Sequence, residues 1–195
     1  MASKLPTVAI IGQANVGKSS LFNRMVHAQQ AIVAREAGTT RDNVIGRVEY
    51  GKHNFWLVDT AGLKDPNDEF EASIQDQIAE AAEAADVILV VVDSSQYVSD
   101  QDRFIAKKAL RSKKPVILLM NKADLKESLP INEFKCLGIR QIIRTSAEHN
   151  FGINEVLDEI SLNIPKMSEE TPDDILRIAL IGRPNVGKSY LFNTL

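Results

Sequence analysis

The chain has 195 residues and a net charge of −3 at neutral pH, with 44% hydrophobic and 25% charged residues. These values are typical of a globular protein with a sizeable core, and they give no sign of a broad basic surface for DNA or RNA, although specific contact with RNA stays open. No apolar run approaches the roughly 20 residues that span a bilayer, and the single cysteine, Cys136, cannot form an internal disulfide. We therefore expect a cytoplasmic protein without a membrane partner, with Cys136 packed among its neighbours.

Short hydrophobic runs alternate with helical segments along the first 162 residues. Strands are predicted at residues 7–11, 44–50, 54–58, 87–92, 115–120 and 141–144. Helices are predicted at residues 20–26, 71–85, 100–112 and 153–162, and a loop at 29–42. This order favours an α/β fold whose mainly parallel sheet is covered on both faces, apart from an antiparallel hairpin formed by 44–50 and 54–58. Ligands bind such sheets at the carboxyl ends of the strands.

The sequence also contains an internal repeat. The first copy reads TVAIIGQANVGKSSLFNRM from Thr7, and the second reads RIALIGRPNVGKSYLFNTL from Arg177. Between them, residues 163–174 hold two prolines and four acidic residues, a composition typical of a linker. We predict a first domain at 1–162, an acidic linker at 163–174 and the truncated start of a second domain at 175–195. Because the second copy stops after its first loop and helix start, we expect it not to bind nucleotide.

The segment after the first strand fits G-x-x-x-x-G-K-[ST], the pattern of a phosphate-binding loop. Its residues are Gly12, Gln13, Ala14, Asn15, Val16, Gly17, Lys18 and Ser19, followed by Ser20 on the helix. Backbone N–H groups of such a loop and the N-terminal dipole of the next helix bind phosphates. Lys18 is expected to neutralise the terminal phosphates, and Ser19 to offer its hydroxyl to Mg²⁺. A plain glycine-rich turn is the alternative, but the preceding strand and following helix favour the phosphate site.

A second motif, Asp59-Thr60-Ala61-Gly62, follows the strand at 54–58. In this position Asp59 is expected to hold Mg²⁺ through a water molecule, and the Gly62 N–H to contact the γ-phosphate. Taken alone, the motif is equally typical of a simple turn. Its pairing with the phosphate loop favours the nucleotide site.

Two further motifs predict recognition of a guanine base: Asn121-Lys122-Ala123-Asp124 and Thr145-Ser146-Ala147. The Asp124 carboxylate can accept hydrogen bonds from N1–H and the exocyclic amine of guanine, each worth roughly 1.5–3 kcal/mol, whereas adenine has no donor at N1. We expect Asn121 to brace neighbouring loops and the Lys122 stem to lie across the base. The Ala147 N–H, next to Ser146, is expected to meet guanine O6. A helix N-cap at Asp124 is the alternative, which the order of the four motifs disfavours.

These residues resemble the Der (EngA) family of bacterial GTPases, which have two tandem GTP-binding domains and a KH-like domain. The resemblance rests on the paired Asn-Val-Gly-Lys-Ser loops, on Gly-Thr-Thr-Arg-Asp at 38–42 and on Asp-Thr-Ala-Gly-Leu at 59–63. It implies a Ras-like P-loop fold with a mostly parallel six-stranded sheet, hydrolysis of GTP to GDP and phosphate, and a switch role in assembly of the large ribosomal subunit. Two alternatives stay open: a nucleotide-gated binding module with negligible hydrolysis, and the G domain of a tRNA-modifying GTPase such as MnmE.

The resemblance also implies roles for single residues. Thr40 corresponds to the switch threonine that joins Mg²⁺ in the GTP state, and Asn15 to the asparagine that helps to hold K⁺ beside the phosphates. Leu63 stands where Ras-like proteins have a glutamine that orients water, which implies slow intrinsic hydrolysis. Lys18, Thr40 and Gly62 are therefore the expected catalytic residues, with Mg²⁺ and K⁺ as cofactors and with GTP, GDP and the ribosome as partners.

Overall fold

The computed structural model describes residues 5–27, 44–59 and 85–165. Its elements are β1 Thr7–Gly12, α1 Lys18–His27, β2 Val44–Tyr50, β3 His53–Asp59, β4 Val87–Asp93, α2 Asp100–Arg111, β5 Val116–Asn121, α3 Ile131–Phe134, a 3-10 turn at Lys135–Leu137, β6 Gln141–Arg144 and α4 Ile153–Asn163. The strands and helices predicted within these ranges are confirmed; the short α3 was missed because one helical turn shows no periodicity. The predicted loop at 29–42, the helix at 71–85 except for Ala85, and the repeat at 177–195 lie outside the described residues.

The described strands form one six-stranded sheet in the order β2-β3-β1-β4-β5-β6. The β2–β3 hairpin is antiparallel, and Gly51, at φ +58°, helps to form its two-residue turn. The other neighbouring pairs are parallel, which confirms the predicted architecture. Parallel strands end at the same edge of a sheet, so Gly12, Asp59, Asp93 and Asn121 are all carried to one edge.

Alternate side chains of β1 enter two separate cores, one on each face of the sheet. Val8 and Ile10 pack with residues of α1 and α4, whereas Ala9 and Ile11 pack with residues of α2. Burying a Val, Leu or Ile side chain contributes about 1.5–3 kcal/mol, so both layers hold the strands and their carboxyl-edge loops in place. Within the ranges that the structure describes, no helix is long and apolar enough to cross a bilayer.

Cys136 does not pack in the interior, so that expectation was wrong. It lies in the 3-10 turn with its side chain exposed, and its thiol donates to the Glu133 carbonyl at 3.2 Å. The turn buries the neighbouring Phe134 and Leu137 instead. Lys135 and Cys136 are both exposed between these two buried residues, and the sequence gives no signal for which side chains a tight turn places inside.

Candidate nucleotide-binding site

The phosphate loop between β1 and α1 depends on two glycines. Gly12 has φ +154° and Gly17 has φ +96°, values that residues with a Cβ rarely adopt. A Cβ on Gly12 would collide with the Val91 carbonyl oxygen, and one on Gly17 with the Asn121 side-chain amide. The loop therefore passes so close to β4 and to the end of β5 that larger residues do not fit.

Lys18 begins α1 and is 7% exposed. Its Nζ donates to the carbonyls of Gly12, at 2.9 Å, and Gln13, at 2.5 Å, which fixes the ammonium against the start of the loop. Ser19 and Ser20 are exposed on the first turn of α1, and Asn15 is exposed in the left-handed region at φ +64°. An ammonium and a helix N-terminus at one loop form an electropositive site that suits a phosphate anion.

Asp59 ends β3, is 2% exposed and pairs in the sheet register with Ile10 of β1. Together with the Ser19 hydroxyl, its carboxylate gives this edge of the sheet hard oxygen donors of the kind that Mg²⁺ prefers. The donor set therefore fits that ion. Thr40, Thr60, Ala61, Gly62 and Leu63 lie outside the described residues, so their contacts stay predictions.

Asn121 connects the loops as the sequence predicted. It ends β5 at 2% exposure, and its Nδ2 donates to the Val16 carbonyl at 2.8 Å. Its Oδ1 accepts the Ala147 N–H at 3.2 Å and the Thr145 hydroxyl at 3.4 Å. One buried amide thus joins the phosphate loop to the loop after β6. Because the Ala147 N–H already donates to Asn121, a guanine O6 would have to share or replace that bond, which the sequence did not reveal.

Asp93, at the end of β4, holds the far end of Lys122. The Lys122 Nζ lies 2.6 Å from Asp93 Oδ2, and the Ser95 N–H and hydroxyl both donate to Asp93 Oδ1. Burial alone would raise the pKa of Asp93, but the hydrogen bonds from Lys122 and Ser95 outweigh it and hold that pKa below its usual value. With its ammonium held there, the Lys122 side chain lines the cleft described below. Asp93 belongs to no recognised motif and was missed from the sequence.

The surroundings of Asp124, the residue predicted to recognise guanine, favour its charged form. A hydrogen bond from the Ser146 side chain lowers the pKa of Asp124 and outweighs the opposing effect of burial; a backbone hydrogen bond and the nearby His149 lower it further. His149 Nε2 lies 3.5 Å from the Asp124 carboxylate. Ligand atoms of Asp124, Glu148 and His149 lie within 4.8 Å of one another, and all three residues are exposed. The spacing of the histidines in the sequence did not indicate that His149 approaches this carboxylate.

The phosphate loop, the loop after β5 and the loop after β6 border an open cleft of about 600 Å³. Its volume lies within the range of roughly 300–1,000 Å³ that is typical of small-molecule sites. It is lined by Gly17, Ser20, Asn23, Arg24, His27, Asn121, Lys122, Asp124, Leu125, Ser146, Ala147 and Glu148. The structure thus brings the end of the phosphate loop together with the predicted base-recognition residues.

Arg24 is a further residue of this cleft that motif matching missed. From α1, its Nε donates to the Ala147 carbonyl at 2.6 Å and its Nη2 to the Glu148 carbonyl at 2.9 Å. Its guanidinium therefore holds the helix that follows the phosphate loop against the loop after β6. Helical periodicity contained a signal, since Ser20, Arg24 and His27 share one face at spacings of four and three residues.

Comparisons with known proteins identify the family. The model described as 50S ribosome-binding GTPase matches residues 7–122 and 177–195. GTPase Der of Lactobacillus acidophilus is 44% identical over 192 residues, and GTPase Der of Streptococcus pneumoniae is 41% identical. Each alignment covers 98% of this chain but 44% of the relative, so the chain spans less than half the length of these curated relatives.

Solved structures confirm the Ras-like P-loop fold. Era of Aquifex aeolicus, a point variant bound to GDP·AlF4⁻, has a TM-score of 0.67 at 27% identity, covering 91% of this chain and 63% of that one. The G domain of the T. maritima iron transporter FeoB has a TM-score of 0.62 at 27% identity, covering 82% and 99%. GTPases with this domain generally use Mg²⁺. With its resemblance to Der confirmed, the chain belongs to the 50S ribosome-binding GTPase family.

Proposed function

We propose that this chain binds GTP and GDP in the cleft and hydrolyses GTP slowly to GDP and phosphate. The observation that carries the proposal is the position of Asn121, which joins the phosphate loop at Val16 to the base-recognition loop at Ala147. A nucleotide that touches both loops has its phosphates at the N-terminus of α1 and its base near Asp124. The same amide therefore fixes the distance between the two halves of the ligand.

The phosphate half of the site consists of residues 12–20 with Asp59 and the segment 60–63. Lys18 and the N-terminus of α1 stabilise the negative charge of the phosphates. When bound by Ser19, Thr40 and, through water, Asp59, Mg²⁺ would neutralise charge on the β- and γ-phosphates. The Gly62 N–H is proposed to contact the γ-phosphate. Loss of the γ-phosphate on hydrolysis would then release the segments around Thr40 and Gly62.

The base half of the site gives the preference for guanine. Asp124, charged at neutral pH, accepts hydrogen bonds from guanine N1–H and the exocyclic amine. The Lys122 stem lies against the base, because its ammonium is held by Asp93. Adenine leaves the Asp124 acceptors without these donors, which costs the hydrogen bonds that guanine gains.

Asn15 is proposed to hold K⁺ beside the phosphates, where a cation adds to the positive charge that stabilises the transition state. Asn15 is exposed on the phosphate loop, and its side-chain carbonyl is a hard oxygen ligand. Leu63 cannot orient water by hydrogen bonding, which favours slow intrinsic turnover. The same residue favours the second candidate function, a GTP-dependent binding module with negligible hydrolysis.

The proposed partner is the large ribosomal subunit. The family description names 50S ribosome binding, and the matched relatives are named GTPase Der. We assign the chain to a larger protein that acts as a nucleotide switch on that subunit. The division into a domain at 1–162, a linker at 163–174 and a second domain from 175 belongs to this proposal.

The test is single-turnover hydrolysis of GTP with Mg²⁺, with either K⁺ or Na⁺ as the monovalent salt. Asn15→Gly removes the side chain but tolerates φ +64°, and Asn150→Gly is a matched control because Asn150 is exposed at φ +55°. We expect hydrolysis to be faster in K⁺ than in Na⁺. Asn15→Gly, but not Asn150→Gly, should slow hydrolysis in K⁺ on the order of 10²-fold, as expected when one contact that stabilises transition-state charge is removed. Tight GTP binding without turnover in either salt would instead establish the binding module, and failure to bind GTP would reject both functions.

A further inference from the structure

Helix α2 carries a basic surface that the composition of the chain conceals. Residues 103–114 contain six Lys or Arg and no Asp or Glu, although the net charge of the chain is −3. Arg103, Lys107 and Arg111 recur every four residues and therefore form one stripe about 12 Å long on the helix. Lys113 and Lys114 continue the positive charge beyond its end.

The stripe borders a groove of about 440 Å³ between α2 and the 3-10 turn. The groove is lined by Arg103, Lys107, Leu110, Arg111, Cys136 and Leu137. Leu137 is 5% exposed and Leu110 is 41% exposed, so cations surround an apolar floor. Among the residues that the structure describes, no acidic side chain lines this groove. Asp100 and Asp102 precede Arg103 in the first turn of α2, and Asp102 is buried in a capping box with Ser99.

The repeated like charges of this stripe lower the stability of the helix, although the helix dipole favours Arg111 in the last turn. Arg103 and Lys107, and likewise Lys107 and Arg111, are like charges four residues apart, which repel each other. Arg103 also lies in the first turn of α2, where the helix dipole disfavours a cation. Within the described ranges none of the three forms a salt bridge. A solvated helix face normally mixes charges of both signs, so a single-sign stripe that costs stability indicates a surface for binding an anion.

We propose that the α2 groove docks an RNA phosphate backbone, with Arg103, Lys107 and Arg111 contacting successive phosphates. Cations about 6 Å apart along a straight helix suit a polymer with one charge on every unit, and the arginine forks suit phosphate oxygens. The apolar floor at Leu110 and Leu137 suits an unstacked base rather than an acidic side chain. This proposal rests on the proposed ribosomal function and names the surface through which RNA is met.

The first experiment measures binding of a fluorescein-labelled RNA hairpin to the full chain by fluorescence anisotropy over a KCl series. The variant Lys107→Gln/Arg111→Gln is compared with Lys52→Gln/Lys126→Gln, which removes the same charge from exposed residues outside the groove. Loss of two phosphate contacts should weaken binding about 25-fold at 0.1 M salt and reduce the salt slope by about 1.4. The control variant should keep the wild-type slope.

The second experiment uses Cys136, the single cysteine of the chain, which is exposed and lines the groove. Bound RNA should slow modification of this thiol by Ellman's reagent in proportion to the fraction of protein bound. GTP without RNA should leave the modification rate unchanged, because Cys136 does not line the nucleotide cleft.

Three results would overturn the proposal: no RNA binding by the wild-type chain, equal loss in both variants, or RNA binding that leaves Cys136 unprotected. A labelled polyglutamate peptide is tested alongside. The groove is an acidic-peptide site if the peptide protects Cys136 and if Lys107→Gln/Arg111→Gln abolishes peptide binding but leaves RNA binding unchanged. Affinity for a fluorescent GTP analogue is measured in every variant, so loss of the nucleotide site is distinguished from loss of the RNA surface.

Discussion

Replacing Asn121 with alanine removes the connection between the two halves of the proposed nucleotide site. The wild-type side chain donates to the Val16 carbonyl and accepts from the Ala147 N–H and the Thr145 hydroxyl. In the variant, the Val16 carbonyl and the Ala147 N–H lose these partners in a region where Asn121 is 2% exposed. The Thr145 hydroxyl keeps a long contact with the Met120 carbonyl at 3.5 Å.

The expected cost follows from these two groups. A buried donor or acceptor left without its partner costs about 1–3 kcal/mol, so Asn121→Ala should lower the free energy of unfolding by about 4 kcal/mol. For a domain of this size each kcal/mol corresponds to roughly 2–4 °C in Tm, so Tm should fall by about 8–16 °C.

The assay is thermal unfolding followed by circular dichroism, with and without GDP and Mg²⁺. At a GDP concentration of 100 times Kd, the wild-type chain should gain about 2.7 kcal/mol, and Asn121→Ala should lose most of that gain. Asn132→Ala, at an exposed asparagine of α3, is the control and should behave as wild type. A change in Tm below about 2 °C would refute the energetic reasoning. A large fall in Tm with full stabilisation by GDP would show that the loops do not depend on Asn121 for binding.

Four further substitutions test the site. Gly17→Ala should abolish binding of a fluorescent GDP analogue, because the new Cβ collides with the Asn121 amide and residue 17 has a φ of +96° that alanine rarely adopts. Near-normal affinity would contradict that packing. Arg24→Met keeps the stem but removes two hydrogen bonds to the loop after β6, and should raise the Kd for GDP roughly five- to tenfold, about 1 kcal/mol. Asp124→Asn should reduce the preference for GTP over ATP in competition binding; unchanged selectivity would reject the base-site assignment. The pKa of Asp93 is lowered in the folded chain, so its contribution to stability is present above its ordinary pKa of 3.8 and is lost as pH falls through the lower folded value. In denaturant titrations from pH 7 to 3, the free energy of unfolding should therefore fall less steeply in Asp93→Asn than in the wild-type chain.

The fold could be predicted because its signals are local. The run Val87–Asp93 is almost wholly β-branched or leucine, and six of its seven residues are buried, as expected for a strand covered on both faces. The phosphate and base motifs each follow a strand, so the parallel sheet alone brings them to one edge. The bracing role of Asn121 followed from that placement.

The remaining features depend on contacts between residues far apart in the sequence. Arg24 donates to the carbonyl of Ala147, 123 positions away, and a backbone carbonyl has no residue signature. Asp93 reaches Lys122 because β4 and β5 pair in a register that opposes Asp93 and Asn121, and no local pattern fixes that register. The basic groove was missed because acidic residues elsewhere cancel its charge in the composition. Local signals therefore predicted the motifs, but not the contacts that hold them in position.

The phosphate loop directly contacts the N-cap of α2, the helix that carries the basic surface. The Gln13 side chain donates from Nε2 to the Ser99 hydroxyl at 2.6 Å, and Ser99 is the N-cap of α2, in a capping box with Asp102. A change at the phosphate loop that moves Gln13 thus acts on the first turn of the helix that bears Arg103. If the nucleotide and RNA proposals both hold, RNA affinity should differ between the GDP and GTP states, and Gln13→Ala should reduce that difference because it removes this contact. The comparison is RNA anisotropy with GDP or a non-hydrolysable GTP analogue bound; an unchanged difference in Gln13→Ala would show that the two sites communicate by another route.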